Sequence, residues 1–256
     1  MESSVLRIKA YLLTALLLTA ASVQSSPVHA LSGEALTHAR SAFLFANKRD
    51  WNNARLHAKR VGDAGLSALI MQQYLLDQDS GATFDEYVHF LDTHPDWPDQ
   101  KRLRLRAELS LDNEMFKDHD LLAWFSDGIP ITGVGKIALV EAYRRNQMAS
   151  KDKMMYLVRD AWRNGDFDEE QETRLQMQYG QWLTQDDYIG RIDRLLWEGK
   201  TKPAKRIINR VPSAQQKLFE ARIALIEDSK NVPAKVSSVP SSLARDPGLI
   251  YDRMQY

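Results

Sequence analysis

The 256-residue chain has no cysteine. Disulfide scaffolds, zinc–thiolate sites and thiol nucleophiles are therefore excluded. Net charge is also missing: 34 Lys and Arg balance 34 Asp and Glu. No global basic field exists to hold nucleic acid, so nucleic acid is not an expected partner. No window alternates Val, Ile, Thr and aromatic residues for long enough to argue for a strand. No apolar run reaches the roughly 20 residues that a membrane-spanning helix needs. What remains is 44% hydrophobic and 27% charged. That is an ordinary globular balance, in a chain long enough to bury a core by packing alone.

The first 30 residues read as an export signal. Arg7 and Lys9 precede the uncharged apolar run Ala10 to Ala21. Ser25, Ser26 and Pro27 break that run, and Val28-His29-Ala30 supplies a small-x-small cleavage site. Cleavage is expected between Ala30 and Leu31, giving a periplasmic protein with no stable membrane anchor after processing.

Beyond the leader, apolar residues recur at helical spacing. Ala35, Ala39, Ala42, Phe43 and Ala46 form one stripe, and Leu66, Leu69, Ile70 and Tyr74 form another. Leu121, Leu122, Phe125 and Ile189, Ile192, Leu195, Leu196 repeat the pattern. Thr83-x-x-Glu86, Asp168-x-x-Gln171 and Ser213-x-x-Gln216 read as capping boxes. Gly62, Gly65, Gly81, Pro95 with Pro98, Gly128, Pro130, Gly165, Gly199 and Pro212 mark stops. The expectation is all-α: helices joined by short turns, stacked as hairpins. Trp162 before Gly165 and Trp197 before Gly199 repeat a helix-ending pattern, and Trp51 marks another hairpin turn. A period near 34 residues is that of a helix-turn-helix repeat, so an α-solenoid is predicted. The stretch Asn231 to Ser242 reads as a Pro/Ser-rich connector, followed by a helical start at Asp246-Pro247-Gly248. The division is then residues 1–30 signal, 31–230 superhelical domain, and 231–256 connector plus the start of a further, unfinished hairpin.

Several segments, in order, carry a family resemblance. They are His94-Pro95-Asp96-Trp97-Pro98, Ala123-Trp124-Phe125, Gly133-Val134-Gly135, Ala161-Trp162 to Phe167, Arg191 to Gly199, Ala221 to Leu225, and Asp246 to Arg253. Together they resemble the helical, non-catalytic N-terminal part of soluble lytic murein transglycosylases. The resemblance implies a curved, U-shaped superhelix and peptidoglycan as partner. It also implies a lysozyme-like catalytic domain whose single Glu cleaves the MurNAc–GlcNAc β-1,4 bond to a 1,6-anhydro product, with no cofactor. Such chemistry needs a carboxyl group tuned to give and take a proton. That domain's Glu-Ser pair has no counterpart beyond residue 30, since Glu2-Ser3 falls in the leader. Its Gly-Leu-Met-Gln motif has only the echo Leu69-Ile70-Met71-Gln72, which reads as core packing in a helix. No catalytic residue is assigned, and the catalytic domain is expected to be absent from this chain. The alternative is a stand-alone tetratricopeptide-like module binding a periplasmic protein.

The remaining candidates are sparse. Asp118-His119-Asp120, and His89 with His94, fall short of the ligands that a metal site converges, so no metal site is assigned. Gly133-x-Gly135 lacks the strand and third Gly of a phosphate loop and reads as a tight turn. Lys101, Arg102, Arg104 and Arg106 form one basic helix face; Lys200, Lys202, Lys205, Arg206 and Arg210 form another. Trp124, Trp162 and Trp197 sit in apolar stripes and read as core, whereas Trp97 between two prolines is the best candidate for exposure. Trp97, Lys101, Arg102 and Arg104 are therefore the candidate peptidoglycan contacts. Intact-mass analysis of the exported protein should give a mature chain that starts at Leu31; a product retaining Met1 would refute the cleavage assignment.

Overall fold

The computed structural model describes residues 33–111, 117–126 and 128–256. The leader, with the cleavage site at Ala30 and Leu31, lies outside them. Fourteen α-helices and no strand occur among the described residues. This is the all-α, helical-hairpin fold that the periodicity predicts. The chain divides into two compact units, one ending at Ile70 and one running from Met71 to Tyr256.

The first unit contains α1 (Gly33–Asn47), α2 (Trp51–Val61) and the first half of α3 (Ala64–Leu76). Helices α1 and α2 form an antiparallel hairpin. Ala42, Ala46, Ala54 and Ala58 bury its seam together with Ile70, and Phe45, Trp51 and Leu66 pack around it. Short side chains let two helix backbones approach closely. Asp50 caps α2 by accepting from the Asn53 backbone, and Gly62 ends it in the left-handed conformation.

The second unit continues with α4 (Phe84–Thr93), α5 (Gln100–Ser110), α6 (Asp118–Trp124), α7 (Gly133–Asn146), α8 (Lys151–Asn164) and α9 (Glu169–Tyr179). It closes with α10 (Gln185–Trp197), α11 (Thr201–Ile207), α12 (Ser213–Ile226), α13 (Val232–Ser237) and α14 (Pro247–Gln255). Each helix packs on near neighbours in sequence: α4 on α5, α5 on α7, α7 on α8, α8 on α10, α10 on α12, and α12 on α14. The capping boxes at Thr83–Glu86 and Asp168–Gln171 form in both directions. The one expected at Ser213–Gln216 does not. Pro212 takes the N-cap position, and Gln216 instead donates to the Val211 carbonyl at 2.7 Å. A proline has no hydroxyl to offer, so the glutamine secures the preceding loop.

Two further expectations change form. The Pro/Ser-rich stretch carries helix α13, with Pro233 in its first turn. A proline there loses no hydrogen bond and brings a preset φ. Gly133 and Gly135 do not form a turn; they open α7, and Thr132 caps it by accepting from Gly135 at 2.8 Å. Their role is close approach. A Cβ on Gly133 would stand 2.6 Å from Phe167 Cζ and 2.9 Å from Gly165 Cα. A Cβ on Gly135 would stand 2.7 Å from Glu108 Oε2. Glu108 is buried and accepts from the backbone amides of Ile131 at 2.9 Å and Thr132 at 2.6 Å. A carboxylate from α5 thus satisfies amides at the entrance to α7, where partial positive charge gathers.

The second unit buries charge among its apolar core residues. Arg191, on α10, is fully buried. Its guanidinium lies over the Trp162 ring at 4.6 Å. It donates to the carbonyls of Trp162 at 2.7 Å and Gly165 at 2.8 Å, and to Glu172 on α9 at 3.1 Å. Burial pulls Arg191 below the ordinary arginine value, and the Glu172 carboxylate opposes that. The arrangement recurs one hairpin later. Arg222, on α12 and also fully buried, lies over Trp197 at 5.3 Å. It pairs with Asp193 on α10 at 2.5 Å and with Asp252 on α14 at 2.7 Å. A Cβ on Gly248 would fall on the Arg222 guanidinium, so any larger residue there would have to displace Arg222 from its pairs with Asp193 and Asp252.

Near α6, Asp118 accepts from Arg145 at 2.5–3.1 Å and from Asn146 at 2.7 Å. The Arg145 hydrogen bonds hold its carboxyl below the ordinary aspartate value. A group lowered in the folded state contributes stability above its unfolded pKa, and the contribution is lost as pH falls through the folded value. Stability should therefore drop as pH falls below about 4, and Asp118→Asn should flatten that dependence in urea titrations. Arg191→Met would strip the Trp162 carbonyl of its donor and take one of its two cations from the buried Glu172, while Arg194 would still donate to the Gly165 carbonyl at 2.9 Å. It should cost about 3–5 kcal/mol in chemical denaturation, whereas Arg174→Met, at an exposed pair with Glu170, should cost under about 1 kcal/mol.

Candidate functional site

The predicted contact residues lie along one stretch of the second unit, the loop His94–Pro98 and the helix α5 that follows. The loop is held from both sides. Gln72 of α3 donates to the Pro98 carbonyl at 2.8 Å, and Gln100 donates to those of His94 and Trp97 at 2.8 and 3.0 Å. The His94 ring stacks on Phe90 at 4.6 Å, and Trp97 meets both edge-on at 5.6 and 6.4 Å. Trp97 is therefore half-buried, and its indole N–H is enclosed without an acceptor. It pins the loop more than it presents a ring to solvent.

Lys101, Arg102 and Arg104 are exposed on α5. Arg104 is turned onto Trp124, 4.6 Å from the ring centre, and Trp124 meets Phe84 edge-on at 5.6 Å. The structure thus separates the four predicted residues: Arg104 is engaged with an aromatic, Trp97 with its loop, and Lys101 and Arg102 face water. Further along α5, Arg106 borders an open cleft of about 340 Å³ that Gln78, Ser80, Tyr87 and Ser110 also line.

The second basic helix has a different fate. Lys205 pairs with Glu227 at 2.6 Å, Arg206 with Glu172 at 3.1 Å, and Lys200 with Asp166 and Glu198 at 2.7 Å. Three of its five cations are thus paired, whereas no ion pair among the described residues engages Lys101 or Arg102. The pairing is hard to see in sequence because, apart from Glu198, the acidic partners of this second run sit 22 to 34 positions away.

A second concavity, of about 250 Å³, lies between α7 and α9. Val134, Ile137, Ala138 and Leu175 make its apolar floor, and Glu141, Arg145, Arg174 and Gln178 its rim. Glu141 there accepts from Gln178 at 2.7 Å, from Arg144 at 2.8 Å and from the Tyr179 hydroxyl. Burial, then the Glu141 hydrogen bond, raises the Tyr179 phenol well above its ordinary value. The chain matches no protein-family model, no curated protein and no solved structure.

The other sequence candidates disperse. His119 contacts Asp120 at 3.3 Å, while Asp118 is committed to Arg145. No group of three or more His, Asp or Glu is arranged for a metal ion among the described residues. Trp162 is core, but Trp197, expected there too, is 46% exposed. It lies in the last turn of α10, beside Tyr251 at 5.1 Å, where the covering helix α14 is short. A close contact that the sequence reading missed is that of His38 with His57, whose Nδ1 atoms stand 3.0 Å apart. Their separation of 19 residues becomes meaningful only when the hairpin folds. On this geometry, replacing both Lys101 and Arg102 by Gln should leave the unfolding free energy from urea titration within about 0.5 kcal/mol, since neither side chain holds the fold together.

Proposed function

We propose that this chain is the non-catalytic helical scaffold of a periplasmic lytic transglycosylase, contacting peptidoglycan on behalf of a separate catalytic domain. The observation that carries this reading is the exposed cationic pair Lys101 and Arg102 beside the pinned His94–Pro98 loop, in a stack of helical hairpins. Peptidoglycan stem peptides end in carboxylates, and cations left unneutralised by the fold are the groups to meet them. The ordered segments that resemble this family support it, and a curved solenoid is the shape that the resemblance implies. The buried glutamates support assigning the chemistry elsewhere. Glu108 is spent on backbone amides, and Glu172 is clasped by Arg191 and Arg206. Neither is free to act as acid and then base.

A protein-binding module is the second reading, favoured by the cleft between α7 and α9, whose apolar floor and polar rim suit a peptide segment.

The test is co-sedimentation of the purified chain with isolated sacculi at two salt concentrations. Retention should fall at high salt, and Lys101→Gln with Arg102→Gln should weaken it about tenfold, at up to about 1 kcal/mol per surface ion pair. Lys205→Gln should leave it unchanged. No retention, together with a stoichiometric periplasmic protein partner, would favour the second reading. Lytic activity of the purified chain on murein would refute the scaffold assignment.

A further inference from the structure

We propose that His38 and His57, facing each other across the α1–α2 hairpin, form a two-histidine site for a late divalent transition-metal ion, with Cu²⁺ the tightest binder.

The argument starts from the nitrogens. His38 Nδ1 and His57 Nδ1 stand 3.0 Å apart, from different helices. Two cis ligands with metal–nitrogen bonds of about 2.0–2.1 Å at angles of about 90–110° hold their nitrogens about 2.9–3.4 Å apart. The observed spacing is that bite. The rings are tilted by 51°, so their edges converge instead of stacking.

Three features set the rings in place. The alanine seam of the hairpin brings the helices close, with Ala39, Ala42, Ala54 and Ala58 all buried. Phe45 stacks on His57 at 5.3 Å with an interplanar angle of 27°. Glu34, one turn before His38, places a carboxylate oxygen 4.0 Å from His38 Nε2. That is beyond hydrogen-bond reach, but rotation of the exposed Glu34 side chain can bring its carboxylate onto Nε2 and so favour Nδ1 as the lone-pair nitrogen. A carboxylate behind a ligating histidine is the usual outer-shell support of metal sites. A simple hydrogen bond between the rings would instead require one of them to carry its proton on Nδ1.

The His38 side chain is 20% exposed, so water can complete the coordination shell. Two imidazoles and water favour Cu²⁺ over Ni²⁺ and Zn²⁺ by the general order of divalent stability. The proposal does not depend on the peptidoglycan reading.

The experiment is Cu²⁺ titration of the full chain, followed by calorimetry and by electron paramagnetic resonance. One ion per chain should bind, with couplings to two nitrogens. His38→Asn and His57→Asn should each weaken binding at least tenfold and remove one nitrogen coupling, while His119→Asn should change neither. Circular dichroism of each variant checks that helix content is kept. Should either Asn variant lose it, ¹⁵N spectra of the unaltered chain with Zn²⁺ decide. Both Nδ1 resonances should move to metal-bound positions. Shifts confined to Nε2, equal uptake by the double variant, or no uptake above that of the variants would overturn the site and leave a hydrogen-bonded pair.

Discussion

A guanidinium buried against an indole organises the second unit. At the end of α8 the last carbonyls have no helical partner, and burial makes that costly. Arg191 supplies donors to Trp162 and Gly165 from the facing helix α10, while Trp162 gives it a ring to lie on. Glu172 brings α9 into the same cluster, and Arg206 extends it to α11. Four consecutive helices are thereby fixed around one positive charge. The same solution, with Arg222, Trp197, Asp193 and Asp252, attaches α14 to α12 and α10. The glycines are consequences: Gly165 and Gly133 let α8 and α7 meet backbone to backbone, and Gly248 leaves room for the second guanidinium.

The same economy of charge defines the surface. Zero net charge does not mean that every charge is neutralised where it stands. Lys200, just before α11, pairs with Asp166 and Glu198, and Lys205 and Arg206 within it pair with Glu227 and Glu172. Among the described residues no ion pair engages Lys101 or Arg102 in the first turn of α5, which follows a loop tied down by Gln72 and Gln100. Under the proposed function, such a locally cationic surface on a neutral protein would meet a polymer with scattered carboxylates, where a strongly basic protein would bind any polyanion. The first unit carries its polarity differently, in two half-buried imidazoles held beside a seam of alanines.

Local sequence determined much of this. The helical periodicities set the fold class, because burying an apolar stripe needs only residues three and four apart. The capping boxes at Thr83 and Asp168 are visible for the same reason, as four residues contain the whole interaction. The Trp–Gly endings are visible locally but do not disclose the arginine that each Trp receives, because it lies 25 to 29 positions downstream. Tertiary structure alone decided which cations are neutralised, that Gly133 and Gly135 serve close approach instead of a turn, that Trp197 stays half-exposed, and that His38 meets His57. Each of these depends on which helix is brought alongside, and a pairing between distant helices leaves no trace in the local spacing of either one.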